Sequence, residues 1–390
     1  MSNAGENVKT IRKRRGLTQR ELAAASGVSL STIRKLEQGD RGGARLETLR
    51  MLAAALRVPT VRLSAGPHQE DASAATVDRW ADVRRAIEEP PQSSAWVDDE
   101  PPTVTGVRDT LRTLSPLFAA DQFDALSEVL PQLLREADAL GAEGRAVRVR
   151  LLQLAGWLMV QTRQFSAAET ALERALDDAA DRMDGAATVN TLCWLLLRQG
   201  ELGKAYELAV KWADETEPKV SRATPAELST WGWLLLRVSG AAVRNSQKGE
   251  AADALRFAHS AAVALGREYA PGNDFLRTFG PTTVALKRAE NASVANRPDV
   301  VLRLAESIPS AGLKPTSNNR NRHYLDVADA HAKTGAFADA FAKLQQIQAD
   351  SPEWLPNQRY ARVILERVVK GRRTLTADMR AMADVVGLPL

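Results

Sequence analysis

The chain has 390 residues, 44% of them hydrophobic and only 5% aromatic, with a formal net charge of +4. That length suits two or three domains with real cores, and a composition rich in alanine and leucine favours helices. The single cysteine, Cys193, excludes a disulfide framework within the chain, which points to a reducing compartment and to Cys193 as a small buried hydrophobe. The N-terminus lacks the apolar core of a signal peptide, and the apolar run at residues 151–160 is too short to cross a bilayer. A cytoplasmic location is expected.

The charge is unevenly spread. Residues 1–66 hold 13 Lys and Arg against 5 Asp and Glu, a net of +8, so the remainder carries −4. A positive field concentrated on one short segment is what phosphate binding requires. Residues 1–66 read as five helices. The first, over residues 3–15, turns Val8 and Ile11 inward and ends in Arg12-Lys13-Arg14-Arg15, cations that complement a helix C-terminus. Thr18 and Glu21 are spaced as a capping box, and Gly27 supplies the left-handed conformation of a tight turn. Ser29 then caps a second helix over 30–38, whose inward pair is Ile33 and Leu36. A fourth helix, 46–56, carries Leu49, Leu52, Ala53 and Leu56 as its apolar stripe, and Pro59 opens a fifth short turn with Val61 and Leu63.

Two short helices joined in this way have the layout of a helix-turn-helix. The residues Leu17-Thr-Gln, Glu21-Leu-Ala, Gly27-Val-Ser and Ile33-x-x-Leu-Glu-x-Gly39 resemble the XRE (phage-repressor-like) family. The resemblance implies duplex DNA as a partner. It places Leu30, Ser31 and Lys35 where that family reads base edges, and Gln19 where it grips phosphate. Ser29, Thr32 and Arg34 project from the same outer surface, with Arg34 directed at phosphate or bases. Arg41, in the loop 39–43, is suited to phosphate, although a plain connector fits that loop as well. The paired glutamines of some family members are missing, so their operator does not carry over.

Residues 67–103 read as a linker. A candidate helix over 74–89 has Val77, Trp80, Val83 and Ile87 at helical spacing, and residues 88–102 hold four prolines and five acids, the mark of an extended segment. From residue 104 to 390 helix follows helix. A polar turn followed by a small residue opening a new helix recurs at 122–126, 163–168, 200–205, 247–252, 296–301 and 335–340. The spacings of 42, 37, 47, 49 and 39 resemble lengthened tetratricopeptide (TPR) repeats, whose ideal period is about 34 residues. The fold expected is all-α: a five-helix phage-repressor-like domain (1–66) followed by a TPR-like right-handed α-solenoid.

Segments 231–237, 279–286 and 322–331 resemble a group of actinobacterial XRE regulators with a C-terminal TPR-like sensor. The architecture is similar to the peptide-sensing RRNPP regulators, a likeness of fold alone. In the repeat register, Gln153, Trp157 and Gln161 of one helix face a groove. Asn190, Trp194 and Arg198 of the next follow, then Arg237, Arg244 and Asn245, then Glu290. Asparagine and glutamine can pair with both the N–H and the C=O of a peptide, and tryptophan supplies an apolar floor. Asn190 is the sharpest of these, because it interrupts an apolar helix. The polar cluster 318–322 opens a helix as an anion site or a solvated cap.

No catalytic signature, metal-ligand pattern or cofactor motif appears: the four histidines form no zinc pattern, and the phosphate-loop and nucleophile-elbow motifs are absent. The expected function is a homodimeric, sequence-specific transcriptional regulator, not an enzyme. A ligand in the repeat groove, first of all a quorum-sensing peptide, would control it. The alternatives are a protein-interaction scaffold and gating by a small apolar molecule.

Overall fold

A computed structural model describes residues 4–38, 46–56, 58, 63, 78–89, 101–270, 278–308, 317–372 and 374–390. Within them the chain is all-helical, and its one β feature is an isolated bridge between Tyr269 and Phe279.

The N-terminal domain comprises α1 (Ala4–Arg14), α2 (Gln19–Ser26), α3 (Leu30–Glu37) and α4 (Leu46–Leu56). Local chemistry sets each boundary. Thr18 accepts from the Glu21 backbone N–H at 3.2 Å while the Glu21 carboxylate accepts from the Thr18 N–H at 2.6 Å, a complete capping box. Hydrogen bonds to the carboxylate from Thr18, first from its backbone N–H and then from its side chain, hold the Glu21 carboxyl below its ordinary pKa. Gly27 closes α2 at φ +71°, a conformation that disfavours a Cβ. Ser29 caps α3 through the Thr32 N–H at 3.1 Å. Val8, Leu22, Ile33, Leu52, Leu56 and Leu63 fill the core almost without exposure. Gly5 lets α1 approach α3 closely: a Cβ there would strike the Leu36 carbonyl. Of the expected fifth turn, Leu63 is buried, whereas Val61 lies outside the described residues.

The candidate linker helix over 74–89 is described from residue 78, and it starts later than expected: residues 78–80 form a turn, and α5 runs over Ala81–Glu88. Trp80, Val83 and Ile87 bury it against the helices Phe123–Ala139 and Phe165–Asp177 of the repeat region, and Arg174 donates to the Ile87 carbonyl at 2.8 Å.

The repeat region is a series of helical hairpins: α6 (Val104–Ala119) with α7 (Phe123–Ala139), α8 (Arg145–Gln161) with α9 (Phe165–Asp177), α10 (Arg182–Gln199) with α11 (Leu202–Glu215), α12 (Pro225–Arg244) with α13 (Lys248–Leu265), α14 (Pro281–Val294) with α15 (Pro298–Ser307), and α16 (Ser317–Lys333) with α17 (Phe337–Asp350). Helices α18 (Arg359–Lys370) and α19 (Ala377–Val385) end it. The recurring turn has one physical basis. Asp121, Arg163, Gly200, Ser246, Asn296 and Gly335 all adopt left-handed φ between 55° and 88°. In each turn the next residue's N–H bonds the carbonyl five residues back, as from Gln164 to Met159 at 2.8 Å and from Ala336 to His331 at 2.9 Å. This is the Schellman closure of a helix C-terminus. Four of the six left-handed positions are not glycine, which explains why the signature is degenerate in sequence.

Small residues then let the second helix of each hairpin lie close to the first, notably Ala167, Ala168, Ala171 and Ala175 in α9 and Ala205, Ala209 and Ala213 in α11. The first helices pack in a row, α8 on α10, α10 on α12, α12 on α14, α14 on α16 and α16 on α18. The row bends until its end meets its beginning. Trp354 donates to Gln161 at 3.2 Å, Asn318 donates to Asp121 at 2.8 Å, and the Asp124 N–H donates to Glu353 at 2.7 Å. One hydrophobic core accordingly joins α5–α9 with α16–α19, and Leu388 and Leu390 are buried in it.

Candidate functional site

The N-terminal domain presents the outer face of α3 to solvent. Ser31, Thr32, Arg34 and Lys35 are exposed, Ser29 is exposed at the cap and Leu30 is half-buried, while Ile33 and Leu36 anchor the opposite face. The cap is part of this face: the Ser29 hydroxyl lies 2.9 Å from that of Ser31 and 2.7 Å from that of Thr32. A buried brace sets the helix orientation. Arg12 donates through Nε and Nη2 to the two Glu37 oxygens at 2.6 and 2.8 Å and through Nη1 to the Leu17 carbonyl at 2.7 Å. The Arg12 and Glu37 side chains are 9% and 3% exposed. Burial pushes the Glu37 carboxyl pKa up, but the hydrogen bonds from Arg12 and Gln19 outweigh it and hold the group ionised. Gln19, expected at phosphate, donates its amide to Glu37 at 2.8 Å and is half-buried. Arg41 lies outside the described residues.

Residues 8–63 match the family described as Helix-turn-helix. Over 65 residues the chain is 43% identical to the Uncharacterized HTH-type transcriptional regulator RghRB of Bacillus subtilis (strain 168), an alignment covering 17% of this chain and 47% of that protein. Over 59 residues it is 41% identical to the HTH-type transcriptional repressor RghR of the same organism, covering 15% and 44%. The chain thus spans less than half the length of these relatives, and both alignments are short segments. No solved structure gives a significant match. The N-terminal helix-turn-helix domain therefore has curated relatives, and these two matches, at 65 and 59 residues, leave most of the helical-repeat region uncovered.

That region encloses a cavity of about 290 Å3 on the inner wall of its first helices. Of the residues expected to face a groove, the structure brings Trp157, Gln161, Trp194, Arg198, Arg237, Arg244 and Glu290 to this wall. It takes three others elsewhere. Gln153 is buried between α8 and α10, donating to the Asp184 carbonyl at 3.1 Å and to the Thr188 hydroxyl at 2.9 Å. Asn190, 2% exposed, accepts from Arg237 Nε at 2.6 Å and so positions a cavity residue without lining the cavity. Asn245 ends α12, with its amide 3.3 Å from Gln247 Oε1. The first helices are buried on several sides, so a polar residue such as Gln153 or Asn190 can tie one helix to its neighbour and not reach the cavity.

The cavity also contains residues that the periodicity did not indicate. Arg163 comes from a left-handed turn, Trp233, Lys287 and Arg322 come from α12, α14 and α16, and Trp354, Arg359 and Tyr360 come from the far end of the chain. The one available signal was the polar cluster 318–322: Asn318, Asn319 and Arg322 all line the wall. The Glu290 carboxylate accepts from Arg244 at 2.6 Å and from Lys287 at 2.8 Å. Burial would raise its pKa, but Lys287, Arg322 and Arg244 hold it well below the usual carboxylate range. Arg322 pairs with Asp326 at 3.2 Å and lies over the Tyr360 ring at 4.7 Å. Arg198 lies over Trp194 at 5.6 Å, and Arg237 over Trp233 at 5.3 Å.

Among the described residues no group of three or more His, Cys, Asp or Glu is arranged to hold a metal ion, and no helix is long and apolar enough to cross a membrane.

Proposed function

We propose that the protein is a DNA-binding transcriptional regulator, not an enzyme, whose helix-turn-helix domain enters the major groove with α3 and whose helical-repeat region governs when it does so. The observation that carries this reading is the exposed row Ser31, Arg34 and Lys35 on a helix held from behind by the buried Arg12–Glu37–Gln19 brace. Lys35 suits guanine O6 and N7, Leu30 a thymine methyl, and Ser31 either type of base edge. Arg34 and Arg41 supply phosphate contacts. The two Bacillus relatives carry the words regulator and repressor in their names.

Two heads are required to read a two-fold operator whose half-sites lie about 34–36 Å apart, so the working species is a homodimer. The repeats, built as TPR-like hairpins, hold a ligand in the central cavity. Ligand binding acts on DNA affinity only to the extent that it prefers one geometry of the repeat ring. A cavity of about 290 Å3 stands at the small end for ligand pockets, ~300–1,000 Å3. That favours a small molecule over the long peptide of a peptide-sensing regulator.

A mobility-shift assay with duplex from the gene's own upstream region tests the DNA reading. Binding at low salt that weakens steeply as salt rises is the expected result. Failure of the full-length protein to shift that duplex at low salt defeats it.

A further inference from the structure

The central cavity is charged in one sense. Among the described residues that line it, seven are Lys or Arg and one, Glu290, is a carboxylate. Glu290 is already engaged by Arg244 and Lys287, and Arg322 is matched by Asp326 behind the wall. Arg198 and Arg359 have no carboxylate partner among the described residues. The polar contact of Arg198 is the Gln358 amide oxygen at 3.4 Å, a neutral acceptor, and its guanidinium otherwise covers the Trp194 ring. Burial, and after it the positive charges of Arg163, Arg322 and Arg359, push its pKa down to about 10. Like charges converging in a half-enclosed, low-dielectric space raise the free energy of the empty site, and an anion relieves it. Guanidinium forks match planar carboxylate and phosphate oxygens two at a time. Four tryptophans, Trp157, Trp194, Trp233 and Trp354, line the same space, three of them buried and Trp194 half-buried, and add apolar surface between the cations.

We infer that the cavity is a receptor site for a small molecule bearing two or more negative charges, as carboxylate or phosphate, together with a flat ring, and that Arg198 is its central anchor. This deepens the ligand-control reading above and rests on it for the regulatory consequence, but the binding claim stands on the cavity alone.

Tryptophan fluorescence of the full-length protein tests it, because none of the eight tryptophans lies in residues 1–66 and anions held by the basic DNA-binding head remain silent. Three probes are titrated: benzene-1,3,5-tricarboxylate, phenyl phosphate and the neutral benzene-1,3,5-trimethanol. At least one anion is expected to change the emission saturably, at least tenfold more tightly than the triol. Whichever anion binds better distinguishes a carboxylate from a phosphate ligand. In Arg198→Gln and, separately, in the exposed Arg359→Gln, that affinity falls at least tenfold while the melting temperature holds or rises. Equal affinity for anions and triol, or full anion affinity in both variants, overturns the inference. The same protein is assayed for DNA binding with and without the anion. Anion binding that leaves DNA affinity unchanged supports the site and defeats ligand control, so the two fail separately.

Discussion

The indole N–H of Trp354 donates to the side-chain oxygen of Gln161 across 193 residues of sequence, at 3.2 Å and buried. This bond, with the Gln161–Asn318–Asp121 chain beside it, fastens the end of the repeat row to its beginning and turns an open groove into a cavity. A solenoid without such a closure would have two free ends and a shallow concave face.

Gln161→Leu is therefore expected to destabilise the repeat region by about 1–3 kcal/mol, the cost of leaving the Trp354 N–H buried without an acceptor. Thermal unfolding measures the loss, and small-angle scattering is expected to show an enlarged radius of gyration as the ring loosens. An unchanged melting temperature and radius would mean that the closure rests on apolar packing alone.

Glu37 links α3 to α1 through Arg12 and to α2 through Gln19. Glu37→Ala leaves a buried guanidinium without its carboxylate, which costs about 3–5 kcal/mol in comparable pairs. The N-terminal domain is expected to unfold below the repeat region in a calorimetric scan and to lose DNA binding with it, while anion binding by the cavity survives.

Lys35 and Arg34 are adjacent and exposed on α3 but are assigned different contacts. Lys35→Ala is expected to cost about 1–3 kcal/mol on the preferred duplex and to relax the choice of base at one position. Arg34→Ala should weaken binding to all duplexes alike and reduce the salt slope by about one. Competition binding against a randomised half-site separates the two, and identical effects of both substitutions on specificity would defeat the assignment.

His323 is 4% exposed, and burial, aided by the Lys343 charge, lowers its pKa to about 4. Its value in the unfolded chain is about 6.5. The unfolded state therefore takes up the proton first as pH falls. Stability from the neutral imidazole is present above about pH 6.5 and lost progressively toward pH 4, by about 3 kcal/mol at most. Denaturant titrations between pH 7 and 4.5 should show this slope in the native protein and a shallower one in His323→Gln. Equal slopes would exclude His323 as their source.

Gly232 and Phe279 belong to two segments that stand out in the sequence, and the structure puts them in contact. A Cβ at Gly232 would lie 2.0 Å from the fully buried Phe279 ring. Gly232→Ala must displace the ring and is expected to cost about 1–3 kcal/mol. Gly203→Ala, with nothing within 4 Å of its Cβ position, serves as the control and should be stabilising or neutral in the same thermal scan.

Much of this architecture is local, and local rules are written in adjacent residues. Thr18 with Glu21, Gly27 and Ser29 each act within a few positions of themselves, so the two-helix motif and its exposed face could be read directly. The hairpin turns could be read for the same reason, although Asp121, Arg163, Ser246 and Asn296 take the left-handed conformation without being glycine and blur the repeat. The cavity could be read only in part. Periodicity placed Trp157, Trp194, Arg198 and Arg237 on one surface, and they do line it. It put Gln153 and Asn190 there too, because a helix buried on several sides has no single polar face by which to fix a register, and Asn245, which lies exposed at the end of its helix.

What the sequence determined by itself was therefore the class of the fold, the caps and turn of the N-terminal helices and the basic helix-turn-helix head, all set by interactions of short range. The tertiary structure alone decided that the row of hairpins closes on itself, that Trp354, Arg359 and Tyr360 come back to meet Trp157 and Gln161, and that the enclosed space is cationic. Those contacts join residues about two hundred positions apart. The curvature that brings them together is the sum of small rotations at every hairpin, and no single stretch of sequence contains it.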